Sequence, residues 1–389
     1  MQPFGKPLEQ VTAADITALP DNGIAESHYV EFKLQIPDLK PEKAKREFLK
    51  DVTAFANASG GAIIFGIRDD KGVAQEIVDV GDHDFDKLRL QLEAILHNHV
   101  DPTLPLVEFR DIATERGRVF VVAVRRSWRA PHMITYPRKE FWVRATAGAL
   151  EMSVDALRSS FLGSLGLEER LLEFRSQRLA RLLAADGPAE IKAGPMCVVH
   201  IVPYDSLTSR PRIEAERLSA AKGHFLADSV NDWRFNFDGF LVTAPISGTS
   251  KVISYTQLLR DGSIERVETV MLGGEEPQQW VPGAAVEQTV VRSIKQSFAA
   301  LSQLAIAPPV FVLVSLLRVH GLCLANPAES LDCHPIDRPD LVVPSLVAES
   351  ISADTASIAL LAKPALNTLW QASGFPASPY FNGDVWRFT

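Results

Sequence analysis

The sequence predicts a mixed α+β or α/β chain built in two parts. Three observations carry this. Short apolar runs of strand length, such as Ala62–Ile67, alternate with helical periodicities such as Pro41–Ala58. The chain has 389 residues, enough for two or three real cores. A charged helical stretch followed by Asp186-Gly187-Pro188 then parts it into two halves.

Residues 1–25 are expected to form an N-terminal arm or short lead-in element. Residues 29–34 read as a strand, and Pro37 and Pro41 punctuate the loop after it. Ala44, Phe48, Val52, Phe55 and Ala56 then recur at helical spacing, and Asn57-Ala-Ser-Gly60-Gly61 is a helix stop. Asp69-Asp70-Lys71-Gly72 signals a hairpin after the apolar run. Phe85, Leu88, Leu92, Ile95 and Leu96 make Asp84–His99 an amphipathic helix, ended by Asp101-Pro102. Strands are expected at Leu106–Ile112, Arg118–Val124 and Glu140–Ala145. Ser153 is a candidate N-cap for a short helix ending near Ser164. A second helix, Glu168 to about Ala184, looks like a connector, so residues 26–165 are read as one domain and 166–188 as a linker helix.

Residues 189–389 are expected to form a second α/β domain, a candidate sensing or dimerisation module. Its strands are Cys197–Val202, Phe235–Ala244, a hairpin of Lys251–Arg260 with Ser263–Val270, and Pro309–Leu317. Ala284–Ala305 is a long helix. The tail after Pro327 is rich in proline, serine and alanine, with weak periodicity. There is no internal repeat and no low-complexity tract.

Apolar content of 46% and charge content of 23% are ordinary globular values. The net charge of −8 argues against non-specific coating of nucleic acid, so any such contact needs a local patch. Cys197, Cys323 and Cys333 form no CxxC pair and are too few for a disulfide framework, which fits a reducing cytoplasm. No secretory signal is apparent, and the longest apolar run, Val310–Leu317, is too short to span a bilayer. Gly60-Gly61 follows a helix and precedes a strand, the reverse of a phosphate loop, so ATP use is not expected.

Chemistry concentrates near the N-terminus. Glu31 and Lys33 are two apart on a strand, so they share one face while Val30, Phe32 and Leu34 face the core. A carboxylate and an amine on one strand face suit metal-dependent phosphodiester cleavage. Glu26 must then sit on a preceding turn or past a bulge to join them. Asp69 and Asp70 end the apolar strand, and either can supply a further carboxylate. Clustered carboxylates repel unless a cation joins them, and oxygen ligands favour Mg²⁺ or Mn²⁺. The same spacing also fits surface charges and a plain hairpin turn.

From Arg116 to Arg144, eight arginines and lysines face Glu140 alone. Arg125, Arg126, Arg129, Arg138, Lys139 and Arg144 are the candidate nucleic-acid contacts, with Trp128, His132, Tyr136, Phe141 and Trp142 interleaved for stacking. Two amphipathic strands with solvated arginines would read the same. His97 with His99, and Cys333 with His334, lack the further ligands a zinc site needs.

Four segments in order resemble the Schlafen-type AlbA-like (AlbA_2) domain over roughly residues 20–165. They are Glu26-Ser27…Glu31-Phe32-Lys33, Ala54-Phe55-Ala56-Asn57…Gly60-Gly61, Gly66-Ile67-Arg68-Asp69 and Phe141-Trp142-Val143-Arg144. The resemblance implies a mixed-sheet domain acting on nucleic acid. It implies a metal-dependent endoribonuclease centre of Glu26, Glu31 and Asp69, with Lys33 beside it and structured RNA such as tRNA as substrate. Larger relatives carry two such lobes, so a homodimer is expected here; the Cys/His zinc set of those proteins is missing. Short chains of this kind resemble proposed antiphage or stress effectors. Some related domains only bind DNA, so a non-catalytic DNA- or RNA-binding regulator with a C-terminal sensing domain is the alternative.

Overall fold

The structure is a computed structural model that describes residues 4, 8–104, 107–145, 148–208, 211–226, 232–269, 280–325 and 333–388. Leu106, Val270 and Pro327, which bound three predicted segments, lie outside these. The chain divides into two compact units, Met1–Glu168 and Glu169–Thr389, and both are mixed α+β.

In the first unit, α1 (Ala13–Asp21) precedes β1 (Val30–Lys33), α2 (Glu42–Ala56) and β2 (Gly61–Phe65). The hairpin β3 (Ile67–Asp70) and β4 (Val73–Ile77), α3 (Phe85–His99) and β5 (Val100–Asp101) follow. Then come β6 (Val107–Thr114), β7 (Gly117–Val124), β8 (Met133–Ile134), β9 (Glu140–Ala145) and β10 (Gly148–Glu151). The main sheet runs β1-β2-β7-β6, with β1 parallel to β2 and the other pairs antiparallel. It is apolar on both faces, which explains the unbroken run of β2. Ile63, Phe65, Phe120 and Val122 pack with α2 and α3. Val30, Phe32, Ala62, Ile64 and Val121 pack with α1 and the β3–β4 hairpin. A second sheet runs β10-β9-β8-β5.

The lead-in is not a detached arm. Val11, Ile16 and Leu19 are buried in the second of these cores, and the Arg110 guanidinium donates to the Leu8 and Val11 carbonyls at 2.6 and 2.8 Å. The two helices expected around residues 153–184 are one helix, α4 (Val154–Leu183). Gly163 and Gly166 lower its propensity by about 1 kcal/mol each, which is too little to break it.

The second unit carries β11 (Met196–Pro203), α5 (Tyr204–Thr208), α6 (Ala215–Ser219), β12 (Asp232–Asn236) and β13 (Gly239–Pro245). They are followed by β14 (Val252–Leu259), β15 (Ile264–Thr269), β16 (Trp280–Pro282), α7 (Gly283–Gln303), β17 (Val310–Leu317) and β18 (Cys323–Ala325). The end of the unit is β19 (Asp340–Val342), β20 (Leu346–Ala348), α8 (Thr355–Gln371) and the short pair β21 (Phe381–Asn382) and β22 (Val385–Trp386). The sheet runs β12-β13-β14-β15-β11-β17-β19, antiparallel throughout, with β20 also on β17. The single strand expected at 235–244 is a hairpin, because Asn236 Oδ1 accepts from Gly239 N at 2.9 Å and turns the chain. One sheet face packs on α7 and α8, the other on Leu179 and Leu182 of α4.

Under α4 lies a buried ionic cluster. Glu265 of β15 receives Arg178 Nε and Nη2 at 2.7 and 2.6 Å and the Tyr255 hydroxyl at 2.9 Å. His200 Nε2 lies 3.0 Å from the same carboxylate, and His200 is paired across the ladder with Glu265. Burial alone would raise this carboxyl, but Arg178 and His200 outweigh it and hold it down at about 2, against an ordinary value of 4.5. A depressed folded pKa stabilises above the unfolded value and is lost as pH falls through the folded one. The second unit should therefore lose stability as pH falls from about 4.5 towards 2. Stability measured by tryptophan fluorescence across that window should drop for the wild type and much less for Glu265→Gln. Equal slopes would remove Glu265 as the cause.

Candidate functional site

The site grows from the edge strand β1. Its alternation sends Val30 and Phe32 into the α1 side of the sheet, so Glu31 and Lys33 face α2. There Lys33 Nζ sits 2.6 Å from Glu31 and 3.3 Å from Asp51 of α2. From β9, the Arg144 guanidinium reaches the other Glu31 oxygen at 2.5 Å. Arg144 also donates to the Ser27 and Val30 carbonyls at 3.2 and 3.3 Å, and its side chain is only 2% exposed.

Glu26 lies before the turn that Ser27 and Val30 close on each other. Its Oε1 accepts from Phe32 N at 2.9 Å, and its backbone N–H donates to Gly72 O of the β3–β4 turn. That turn is where Asp69 sits, exposed, with Oδ2 accepting from Gly72 N at 2.9 Å. Asp70 is exposed beside it.

The electrostatics separate the acids. Burial raises the Glu26 carboxyl; the Phe32 N–H opposes this, and the charges of Glu31 and Asp69 raise it further. Asp69, not Asp70, is thus the turn acid that acts on Glu26. Burial also raises Glu31, but Lys33 and Arg144 outweigh it and hold it below the usual range. Burial lowers the Lys33 amine, and Asp51 and Glu31 more than restore it. Asp51 stays above the usual range despite its Lys33 partner, because it is buried and Glu31 is near.

Oxygen donors suit Mg²⁺ or Mn²⁺ chemically. The arrangement does not fit such an ion. Both Glu31 oxygens are taken by cationic side chains, Glu26 and Asp69 each bind a backbone N–H, and among the described residues no three His, Cys, Asp or Glu side chains gather as a metal set.

Other motif residues build the frame. Asn57 Nδ2 donates to the carbonyls of His132 and Trp142 at 2.9 Å each, and its Oδ1 accepts from His132 N, which ties β8 and β9 to the end of α2. A Cβ on Gly61 would meet the Phe55 ring at 2.3 Å, and Gly60 has φ +76° with Arg126 N at 2.8 Å from such an atom.

Half of the basic stretch is neutralised by acids from elsewhere in the sequence. Arg116 pairs with Asp21, Arg118 with Asp111, Arg125 with Glu108 and Arg144 with Glu31. Arg144 is therefore directed inwards and not towards an outer backbone phosphate. Arg126, Arg129, Arg138 and Lys139 remain exposed. Arg129 lies over the Trp128 ring at 5.8 Å. Beside Arg138 and Lys139, Tyr136 is 38% exposed, stacked on His99 at 4.9 Å and covered by Lys45 of α2 at 5.5 Å. Asp51 and Lys45 were missed from sequence. The signal for Asp51 was a carboxylate on the same helix face as Phe48, Val52 and Phe55.

No curated protein matches the chain. A family model, Schlafen AlbA_2, matches residues 26–153. Similar solved structures include the DIP2311 protein of Corynebacterium diphtheriae, at 20% identity over 32% of this chain and 22% of that one, TM-score 0.23. This chain thus spans about a fifth of that protein's length. Another is the N-terminal domain of a putative ATP-dependent DNA helicase RecG-related protein of Nitrosomonas europaea, at 22% identity over 38% of this chain and 92% of that one, TM-score 0.27. Residues 26–153, which hold the ordered motifs and the mixed sheet they frame, are similar to the Schlafen AlbA_2 domain.

Proposed function

We propose that this chain binds nucleic acid through its AlbA_2 domain, at the surface formed by Lys45, Tyr136, Arg138 and Lys139. The observation that carries this is the exposed aromatic ring set beside Lys45, Arg138 and Lys139, for which no ion pair is seen among the described residues, in a basic stretch where Arg116, Arg118, Arg125 and Arg144 pair with acids. Tyr136 supplies a partly exposed ring held by His99 and Lys45, and the cations supply backbone contacts without sequence preference. Structured RNA is the favoured ligand, with DNA as the comparison.

A second reading rests on Glu26. Burial, with the nearby charges of Glu31 and Asp69, raises its carboxyl, and Lys33 stands beside Glu31, an arrangement that suits phosphodiester cleavage. In that reading Lys33 would leave Glu31 to meet a phosphate, and Glu26 and Asp69 would complete the centre of an endoribonuclease.

One experiment serves both. Fluorescence anisotropy with labelled tRNA, hairpin RNA and duplex DNA is measured between 50 and 200 mM salt, for the wild type and a Lys45→Glu/Arg138→Glu/Lys139→Glu variant. Wild-type affinity should fall with salt, and the variant's salt slope should shrink by about 0.7–0.9 per lost phosphate contact. Unchanged affinity and slope would sink the surface. The same RNA is incubated with Mg²⁺, Mn²⁺ or EDTA and followed for cleavage. Glu26→Gln/Asp69→Asn is the control, since Glu31 is needed by buried Arg144 and Asn can still accept from Gly72. Metal-dependent cutting lost in that control would install the second reading.

A further inference from the structure

We propose that Cys323 and Cys333 are a redox modification site that closes reversibly into an intramolecular disulfide. Neither residue belongs to the site described above. Both are free thiols, Cys323 buried and Cys333 partly exposed, and the Cys333 thiol is close enough to raise that of Cys323. The contact is held from both sides by one residue. Ser373, fully buried after α8, receives Leu324 N on its hydroxyl at 2.8 Å and His334 N on its carbonyl at 3.0 Å. The neighbouring backbone is laddered as well, with Gly321 N on Ile336 O at 2.9 Å and Ile336 N on Leu322 O at 2.8 Å. The two cysteines thus sit on neighbouring stretches of backbone that these hydrogen bonds already hold in place.

Among the described residues no third acid, His or Cys gathers with them as a metal set, so a dithiol is the chemistry at hand. The unequal exposure assigns the roles. Cys333 is the thiol a solute can reach. Cys323 is the resolving thiol; burial and the Cys333 thiol push it up to about 12, so it stays protonated until its neighbour is activated. The oxidant is a low-molecular-weight disulfide. The Cys333 thiolate attacks one of its sulfurs, forms a mixed disulfide and expels one thiolate. Cys323 then gives up its proton and attacks Cys333 Sγ, forming the Cys323–Cys333 bond and expelling the second thiolate. The protein loses two electrons and two protons, and the small disulfide is reduced to two thiols. Cys197 takes no part: it is fully buried within β11, and burial pushes its thiol up to about 12.

The test uses the folded full chain equilibrated with oxidised and reduced glutathione, then quenched with acid, unfolded, alkylated and read by intact and peptide mass spectrometry. The expected result is a fall from three alkylatable thiols to one, with Cys197 remaining. The tryptic peptide that begins at Val319 and holds both other cysteines should be lighter by two hydrogens, and dithiothreitol should reverse this. In Cys323→Ser, glutathione should stay on Cys333, because no resolving thiol remains. Three results would overturn the proposal: three thiols still alkylatable in the wild type, glutathione retained on wild-type Cys333 beside an alkylatable Cys323, or no adduct on Cys333 in Cys323→Ser.

Discussion

Replacing Glu265 with Gln should destabilise the second unit by about 3–5 kcal/mol. Glu265 is fully buried, and its two oxygens answer Arg178, His200 and Tyr255 together. Gln keeps the volume but removes the charge, which leaves the Arg178 guanidinium without its counter-ion in a water-poor site. Removing one partner of a buried pair costs far more than the pair contributes, because the other charge stays behind. Urea unfolding of the full chain, with hydrogen exchange of β11 and β15 amides to assign the transition, would measure it. A loss below about 1 kcal/mol, the ordinary level for a substitution without special mechanism, would mean that Arg178 is compensated by something other than Glu265.

Arg144→Ala should destabilise the first unit, also by about 3 kcal/mol or more. Its guanidinium pairs with Glu31, donates to the Ser27 and Val30 carbonyls and lies 4.9 Å from the centre of the Phe55 ring. Alanine would remove the second of two donors from each of these carbonyls and leave Glu31 with Lys33 alone. A residue that only touched phosphate from outside would change binding and leave stability unchanged. Thermal unfolding and RNA affinity of the same variant decide between these roles. A wild-type melting curve with weakened binding would return Arg144 to the nucleic-acid surface.

Much of the first unit was legible in the sequence, for physical reasons. The period-two pattern of Val30–Lys33 places Glu31 and Lys33 on one face, and Asn57 with Gly60-Gly61 marks the end of α2. The partners of those charges were not legible, because pairing is long-range. Arg144 reads as one more cation in a basic run, and only the packing of β9 against α2 directs it to Glu31. Arg116, Arg118 and Arg125 likewise find acids from other parts of the unit, so folding halves the local excess of charge. In the second unit, α8 was obscured by Pro364 in its interior and by an alanine-rich apolar face, although Asp354 caps it by accepting from Ser357 N at 2.8 Å. The dithiol was missed because Cys323 and Cys333 do not have CxxC spacing, and their contact depends on Ser373, far along the chain.

The hydrogen bonds around Glu26 bear on how copies of this chain can meet. A bare sheet margin is adhesive, since its unused amides and carbonyls invite a strand from a neighbour. On the outer side of β1 those groups are already taken from within the chain. Phe32 N is bound by the Glu26 carboxylate, Val30 N by Ser27 O, and Val30 O by both Ser27 N and Arg144. With these three groups taken from within the chain, β1 is a poor margin for strand-to-strand fusion with a second copy.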